Sequence, residues 1–369
     1  MRWVVFWMVM VAGLIPQPLV ASVDINQIEA AREVYLRAEE AYKNQQFADA
    51  AGGYQSVLIH YPKAAIQLKL ARSLCQLQDW ESALKSLESA VQLGLHDPQD
   101  LLDEPVFRPL SKWPQWATLI AEIEGNLADH QARYRDPASL QMVTADVPRF
   151  WKAFDRAKFA KTQAERITIY QMEYFNPGSP GLIDFFWKKI HRVDLFVETV
   201  DQDRAYYEGI RPGADQLTSH YQTIQKGFNA LKALLPDTVF NDVTFVIGRI
   251  SSSGTVSDQG MLLGLETFVL PETPLHELTP GRRMAARPLA LLAHSVLHEF
   301  THQLQHQAGS AILLRAALFE GGADFVAELA LGPWDPAKHY QVFGLAHEPE
   351  IWQQFQADML GTDTSRWIA

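Results

Sequence analysis

Cysteine is nearly missing from this chain: Cys75 stands alone among 369 residues. A single thiol closes no internal disulfide, and a zinc site built on cysteines is excluded. Leu74 and Leu77 flank it in a helical stretch, so it reads as a small buried apolar residue. Positive charge is also in short supply. Lys and Arg number 32 against 43 Asp and Glu, a net charge of −11. Phosphate backbones reward basic surfaces, so this balance argues against nucleic acid as a partner. No Gly-x-Ser-x-Gly and no Gly-rich phosphate loop occurs. Ser251-Ser252-Ser253 forms no nucleophile constellation and reads as a solvated loop.

Long apolar runs are missing too, except at the start. Arg2 precedes an apolar run from Trp3 to Ile15, interrupted only by Gly13 and followed by Pro16 and Pro18. Leu19-Val20-Ala21-Ser22 then offers cleavage after Ala21 or Ser22. This is the pattern of a secretory signal over residues 1–22. The run falls short of the roughly 20 apolar residues a span needs. The expectation is an exported protein, periplasmic or secreted, with no stable membrane span after signal removal. No Cys follows the run, so lipid attachment there is excluded.

Against this background, residues 297–324 are the most informative. They hold His298-Glu299-Phe300-Thr301-His302, then, after 17 residues, Glu320-Gly321-Gly322-Ala323-Asp324. Two histidines four apart on a helix point the same way, because a turn takes about 3.6 residues. Such a pair can hold one zinc ion from one side. Glu299 lies about 100° round the axis from His298, beside the metal without being a ligand. That is the geometry a metal-assisted hydrolase needs, with Glu299 as general base.

Helical context is predicted on both sides of the motif. Pro288 suits a helix start. Leu289, Leu292, Ala293, Val296, Leu297, Phe300 and Leu304 mark a buried face, and Gly309-Ser310 ends the helix. A second helix is predicted from Ile312 to Leu331 through Leu314, Ala317, Leu318, Gly321, Phe325 and Leu329. Gly332-Pro333 and Pro336 stop it. If the two fold back at Gly309-Ser310, positions equidistant from the turn lie side by side. Glu320 then comes level with His298 and His302 as the third ligand. Asp324 comes beside His298, where it can accept that ring's free N–H. The pair Gly321-Gly322 costs about 2 kcal/mol relative to alanine, which close approach of the two helices would explain. His294 and His306 drift off the metal-facing line and read as surface or supporting residues. Glu328 reads as structural.

Residues 28–125 look helical and repetitive. Phe47-Ala48-Asp49-Ala50 aligns with Trp80-Glu81-Ser82-Ala83 at a separation of 33, as do Ala38 with Ala71 and Tyr54 with Leu87. This resembles tetratricopeptide repeats, whose period is near 34. A third, degenerate helical stretch runs from Trp113 to Ile123 and could cap the pair. Two units either dock on the rest of the chain or recruit a protein partner through their concave face. A boundary is predicted between Gly125 and Pro137. Beyond it, Phe150–Gln171 and Asp184–Leu234 read as helices, Val243–Ile247 as the clearest strand, and Met261–Leu270 as a second strand. The last is the expected substrate-facing edge.

The spacing of the two histidines, Glu320 and Asp324 resembles the gluzincin metallopeptidases, in which two motif histidines and a downstream glutamate hold zinc. The Asp324 position resembles the thermolysin arrangement, which implies an aspartate partner for the first histidine. A closer resemblance covers residues 145–369. It rests on Asp146-Val-Pro-Arg-Phe-Trp151, Tyr174-Phe-Asn-Pro-Gly-Ser179, Phe245-Val-Ile-Gly-Arg249, Gly254-Thr-Val256, Gly264-Leu-Glu266, Glu320 to Leu329 and His347-Glu-Pro-Glu-Ile-Trp352. These stretches resemble the bacterial predicted zinc-dependent proteases related to gliding-motility lipoproteins. The resemblance implies an α+β, mostly helical chain with a zincin-like catalytic domain over 140–369, holding a small β-sheet and the helix hairpin. An α-helical repeat domain precedes it. The implied activity is hydrolysis of a peptide or protein substrate with one Zn2+. Tyr340 and His347 follow the ligand helix and are candidates to stabilise the oxyanion. The competing reading is a non-catalytic peptide-binding scaffold with a structural or degenerate metal site. A zinc hydrolase acting on a non-peptide amide also stays open.

Overall fold

The computed structural model describes residues 23–272, 288–305, 312–333 and 339–367, the last without the side chains of 339–341. The expected signal over 1–22, His306, the Gly309-Ser310 turn, Pro336 and the Tyr340 side chain lie outside them. The described residues are mostly helical with one small sheet.

Four helices open the described residues: α1 (Ile25–Lys43), α2 (Phe47–His60), α3 (Ala64–Gln76) and α4 (Trp80–Gln92). They form two hairpins that repeat every 33 residues, down to the backbone. Gln45 and Gln78 both take φ near +60° in the turn before Phe47 and Trp80. Ala38, Ala71, Ala50 and Ala83 are buried where paired helices touch. A Cβ on Gly53 would fall 2.7 Å from that of Ala38, so only glycine allows this approach of α1 to α2. A short α5 (Gln99–Leu102) leads to α6 (Pro114–Tyr134). Gly125 sits inside this helix, in open space where it disturbs nothing. The helical region therefore extends to Tyr134.

The second half packs helices around aromatic side chains. They are α7 (Asp146–Ala157), α8 (Gln163–Tyr170), α9 (Pro180–Phe185), α10 (Val193–Gln202), α11 (Arg204–Ala214) and α12 (Tyr221–Leu234). The stretch expected as one helix over 150–171 is thus two, with Thr162 capping the second through Glu165 N–H. Phe150, Tyr170, Tyr174, Phe175, Phe186, Phe196 and Tyr207 form one buried cluster. Two of its hydroxyls hold the sheet: Tyr174 donates to the Ile247 carbonyl at 2.6 Å and Tyr207 to that of Gly248 at 2.9 Å.

The sheet has β1 (Met142–Val143), β2 (Val243–Val246), β3 (Gly254–Ser257) and β4 (Gly260–Gly264) in the order β1-β2-β4-β3. β1, β2 and β4 are parallel, and β3 is antiparallel to β4. This corrects the expected substrate edge. β4 is shorter than 261–270, is buried throughout and is paired on both sides. Among the described residues, the edge on this side of the sheet is β3. Buried Glu266 fixes the loop entering it, accepting from Gly248 N at 2.8 Å and Ile250 N at 3.1 Å.

The repeats dock on this body. Tyr61 stacks on Trp187 at 4.1 Å, and its hydroxyl donates to Asp184 at 2.8 Å. Lys63 donates to Asp184 at 2.9 Å and to Asp258, in the β3–β4 turn, at 3.0 Å. Glu29 accepts from Val193 N at the start of α10, where a carboxylate opposes the helix dipole. Burial, then the Asp184 charge, pushes the Tyr61 hydroxyl well up.

Candidate metal centre

Two helices build the site: α13 (Leu292–Leu304) and α14 (Leu313–Leu331). Pro288 itself is extended, and a single 3-10 turn, Leu289–Leu291, precedes α13. Leu292, Ala293, Val296, Leu297 and Phe300 face the core as their spacing predicts. Gly227 lets α12 approach closely, since a Cβ there would meet Leu297 at 2.8 Å. In α14 the expected apolar stripe is not the buried one. Leu318, Phe325 and Leu329 are exposed, whereas Leu313, Ala323, Ala327 and Ala330 are buried. Packing against α12 and α13 selects small side chains and turns the large ones outward. The start of α14 is held by the far end of the chain. Leu313 N and Leu314 N donate to the carbonyls of Gly361 and Met359, just past α16 (Glu348–Asp358), which follows α15 (His339–Ala346).

His298, His302 and Glu320 converge, with one ligand atom from each within 4.8 Å of the others. Their nearest nitrogens, Nε2 of each ring, are 3.0 Å apart. Glu320 Oε2 lies 3.4 Å from His298 Nε2 and 3.5 Å from His302 Nε2. Metal bonds of about 2.0–2.1 Å in a tetrahedron place ligand atoms about 3.3–3.4 Å apart. The observed triangle is close to that face.

The tautomers sharpen the fit. His298 Nδ1 is 2.8 Å from Asp324 Oδ1, an oxygen that only accepts, so Nδ1 carries the proton. His302 Nδ1 is 2.8 Å from Gln305 Oε1. That amide is oriented in turn, because its Nε2 donates to the Phe319 carbonyl at 2.8 Å. With each Nδ1 so engaged, the rings turn Nε2 towards each other, and in their neutral forms a cation between them would relieve the clash of lone pairs. These residues could hold a metal ion.

Gln305 is the supporting residue that sequence reasoning missed. The predicted helix ran on to Gly309-Ser310, whereas α13 ends at Leu304 and the chain turns extended at Gln305. Its amide then reaches back to His302 and across to α14. The ring of Phe319 stacks on His302 at 4.3 Å. The expected reason for Gly321-Gly322 does not hold at Gly321, around which space is open. A Cβ on Gly322 would meet the Gln305 amide nitrogen at 3.1 Å, so that glycine leaves room for the His302 support.

Burial alone would lower the His298 pKa. The Asp324 hydrogen bond and charge, with Glu299 and Glu320, outweigh it and raise it above the ordinary value. Glu299 reaches β3: a Cβ on Gly254 would lie 3.9 Å from its Oε2. His294 does not join the cluster: its Nε2 bonds the Gly332 carbonyl at 3.0 Å and ties α13 to the end of α14. His347 is exposed, stacks on Phe343 and bonds that residue's carbonyl through Nδ1. It makes no bond to the cluster among the described residues.

Comparison with family models, curated proteins and solved structures finds no match.

Proposed function

We propose that this chain is an exported zinc-dependent metallopeptidase, with His298, His302 and Glu320 as ligands and Glu299 as general base. The carrying observation is the pair of facing Nε2 atoms closed by the Glu320 carboxylate, with the Glu299 carboxylate beside the outer strand β3. Two imidazoles and one carboxylate suit zinc and leave a fourth position open, as in catalytic sites. The resemblance to gluzincins and to the predicted zinc-dependent proteases points the same way, and the zincin-like domain and tetratricopeptide-like repeats belong to this reading.

Bound there, zinc supplies Lewis acidity towards water and the scissile carbonyl. The chain's own residues do the rest. Asp324 and Gln305 hold the two rings in one tautomer and orientation. The outer edge of β3 can pair with an extended substrate backbone and hold it across Glu299. Glu299 takes a proton from the attacking water as its oxygen bonds the carbonyl carbon. The same carboxylate returns that proton to the amine nitrogen as the C–N bond breaks.

The test pairs metal analysis with digestion of a peptide library. The parent should carry one zinc per chain and cleave, and Glu299→Gln should keep the zinc but lose about 10²–10⁴-fold in rate. A parent that binds zinc yet cleaves nothing, with Glu299→Gln unchanged in every property, sinks the peptidase reading.

A further inference from the structure

A groove of about 920 Å³ separates the repeats from the catalytic body. One wall is repeat structure, from α3, the end of α4 and α6. The other is the β3–β4 hairpin from Val256 to Gly260 together with Phe300, Gln303 and Leu304 of α13. It therefore opens at the end of β3, three residues along the strand from Gly254 and Glu299. Gln303 follows Glu299 by one helical turn, so the groove continues the line of the candidate substrate edge.

Three features say what fits. The floor is apolar, formed by Phe240, Phe300 and Leu304. The rim is acidic: Asp97, Asp100 and Asp129 line it, and among the described residues the exposed Asp100 and Asp129 make no side-chain ion pair or hydrogen bond. The basic residue beside them, Arg133, is paired with Asp242. On the wall, the Asn241 amide donates to Gln303 Oε1, leaving Asn241 Oδ1 and Gln303 Nε2 buried without partners. One acceptor and one donor thus sit side by side just behind the wall, covered from solvent, and a backbone N–H and C=O reach them only as the two amides turn outward, which relieves a costly unmade hydrogen bond.

We propose that this groove binds an extended polypeptide segment carrying basic and apolar side chains, continuous with the outer edge of β3. The repeats then act as the distal half of the substrate cleft rather than as a separate recruiting module. The inference rests on the proposed peptidase function for its direction along β3, but binding in the groove requires no cleavage.

The test uses the full chain with Glu299→Gln, so that no probe is consumed. Fluorescein-labelled twelve-residue peptides, one of alternating lysine and leucine and one with glutamate in place of lysine, are titrated by anisotropy. The lysine peptide should bind and the glutamate peptide should not. Asp100→Lys with Asp129→Lys, both exposed, should weaken the lysine peptide by at least about 10-fold without shifting thermal melting. Equal binding of both peptides, or no effect of charge reversal, overturns the groove. Cleavage is read separately on the parent. Charge reversal should lower kcat/KM for the long peptide and spare a four-residue one. If the parent cleaves neither while charge-dependent binding persists, the peptidase reading fails and the groove stands.

Discussion

Removing the two residues behind the histidines should weaken metal binding in a graded way. Asp324 and Gln305 each sit 2.8 Å from an Nδ1, but their chemistry differs. Asp324 brings a negative charge, and its side chain is 53% exposed, so solvent screens part of that charge. Asp324→Asn keeps an acceptor and loses only the screened charge. It should cost about 10-fold in zinc affinity, the low end for such partners. Asp324→Ala also frees the ring to rotate and should approach about 100-fold. These losses correspond to about 1.4 and 2.8 kcal/mol. Gln305→Leu keeps volume but strands both His302 Nδ1 and the Phe319 carbonyl, so about 10-fold or more is expected. Competition against a fluorescent chelator at neutral pH measures all three, with circular dichroism of the metal-free proteins as a folding check. Folded variants that stay within about two-fold of the parent would refute the reasoning, because partners of ligating histidines ordinarily cost at least tenfold.

Other outcomes follow from the same contacts. His302→Ala should lose zinc and hydrolysis together, in contrast to Glu299→Gln, which elemental analysis of the purified variants will show. Lys63→Ala removes the cation from the buried Asp184, leaving it Tyr61 and the carboxyl of Asp258, and should cost about 3 kcal/mol in urea unfolding. An unfolding midpoint unchanged by the substitution would contradict that account. Burial pushes the Cys75 thiol up to about 12, so the folded state keeps a proton that the unfolded chain releases near pH 8.5. The thiol's contribution is whole below that pH and is lost as pH rises towards 12. The stability gap between parent and Cys75→Ala should therefore shrink with alkali, and parallel profiles would show that the thiol does not titrate as argued. A Cβ on Gly260, which has φ +89°, would fall 2.3 Å from the Asp242 carbonyl. Gly260→Ala should lower the melting temperature clearly, whereas Gly321→Ala, in open space, should leave it unchanged or raise it.

The helix hairpin was legible because its information is local. Four-residue spacing places two imidazoles together, and a fold-back sets Glu320 and Asp324 opposite them, as the bonds to His298 show. The repeat was legible for the same reason: Ala38, Ala50, Ala71 and Ala83 mark helix contacts within one hairpin or the next. The sheet's outer strands were not. Met142–Val143 is too short to show alternation, and Gly254–Ser257 is polar with a glycine at its head. Both become strands through partners distant in sequence. Gln305 was hidden by apolar periodicity that suggested the helix would continue. The burial of α14 was misread because alanines at 323, 327 and 330 carry its contacts while the larger residues attract attention.

Lys63 has a consequence for how this chain can be divided. Its ammonium binds one carboxylate in α9 and another in the β3–β4 turn, while Glu266 holds the opposite approach to β3. The strand beside Glu299 is thus pinned at one end by the second half of the chain and at the other by the repeats. Cutting at the linker after Tyr134 would free that second end and strand Asp184 in an apolar setting. The two halves are not interchangeable parts. A shuffled or truncated version must bring its own equivalents of Tyr61 and Lys63, or accept a slack strand beside the candidate metal centre.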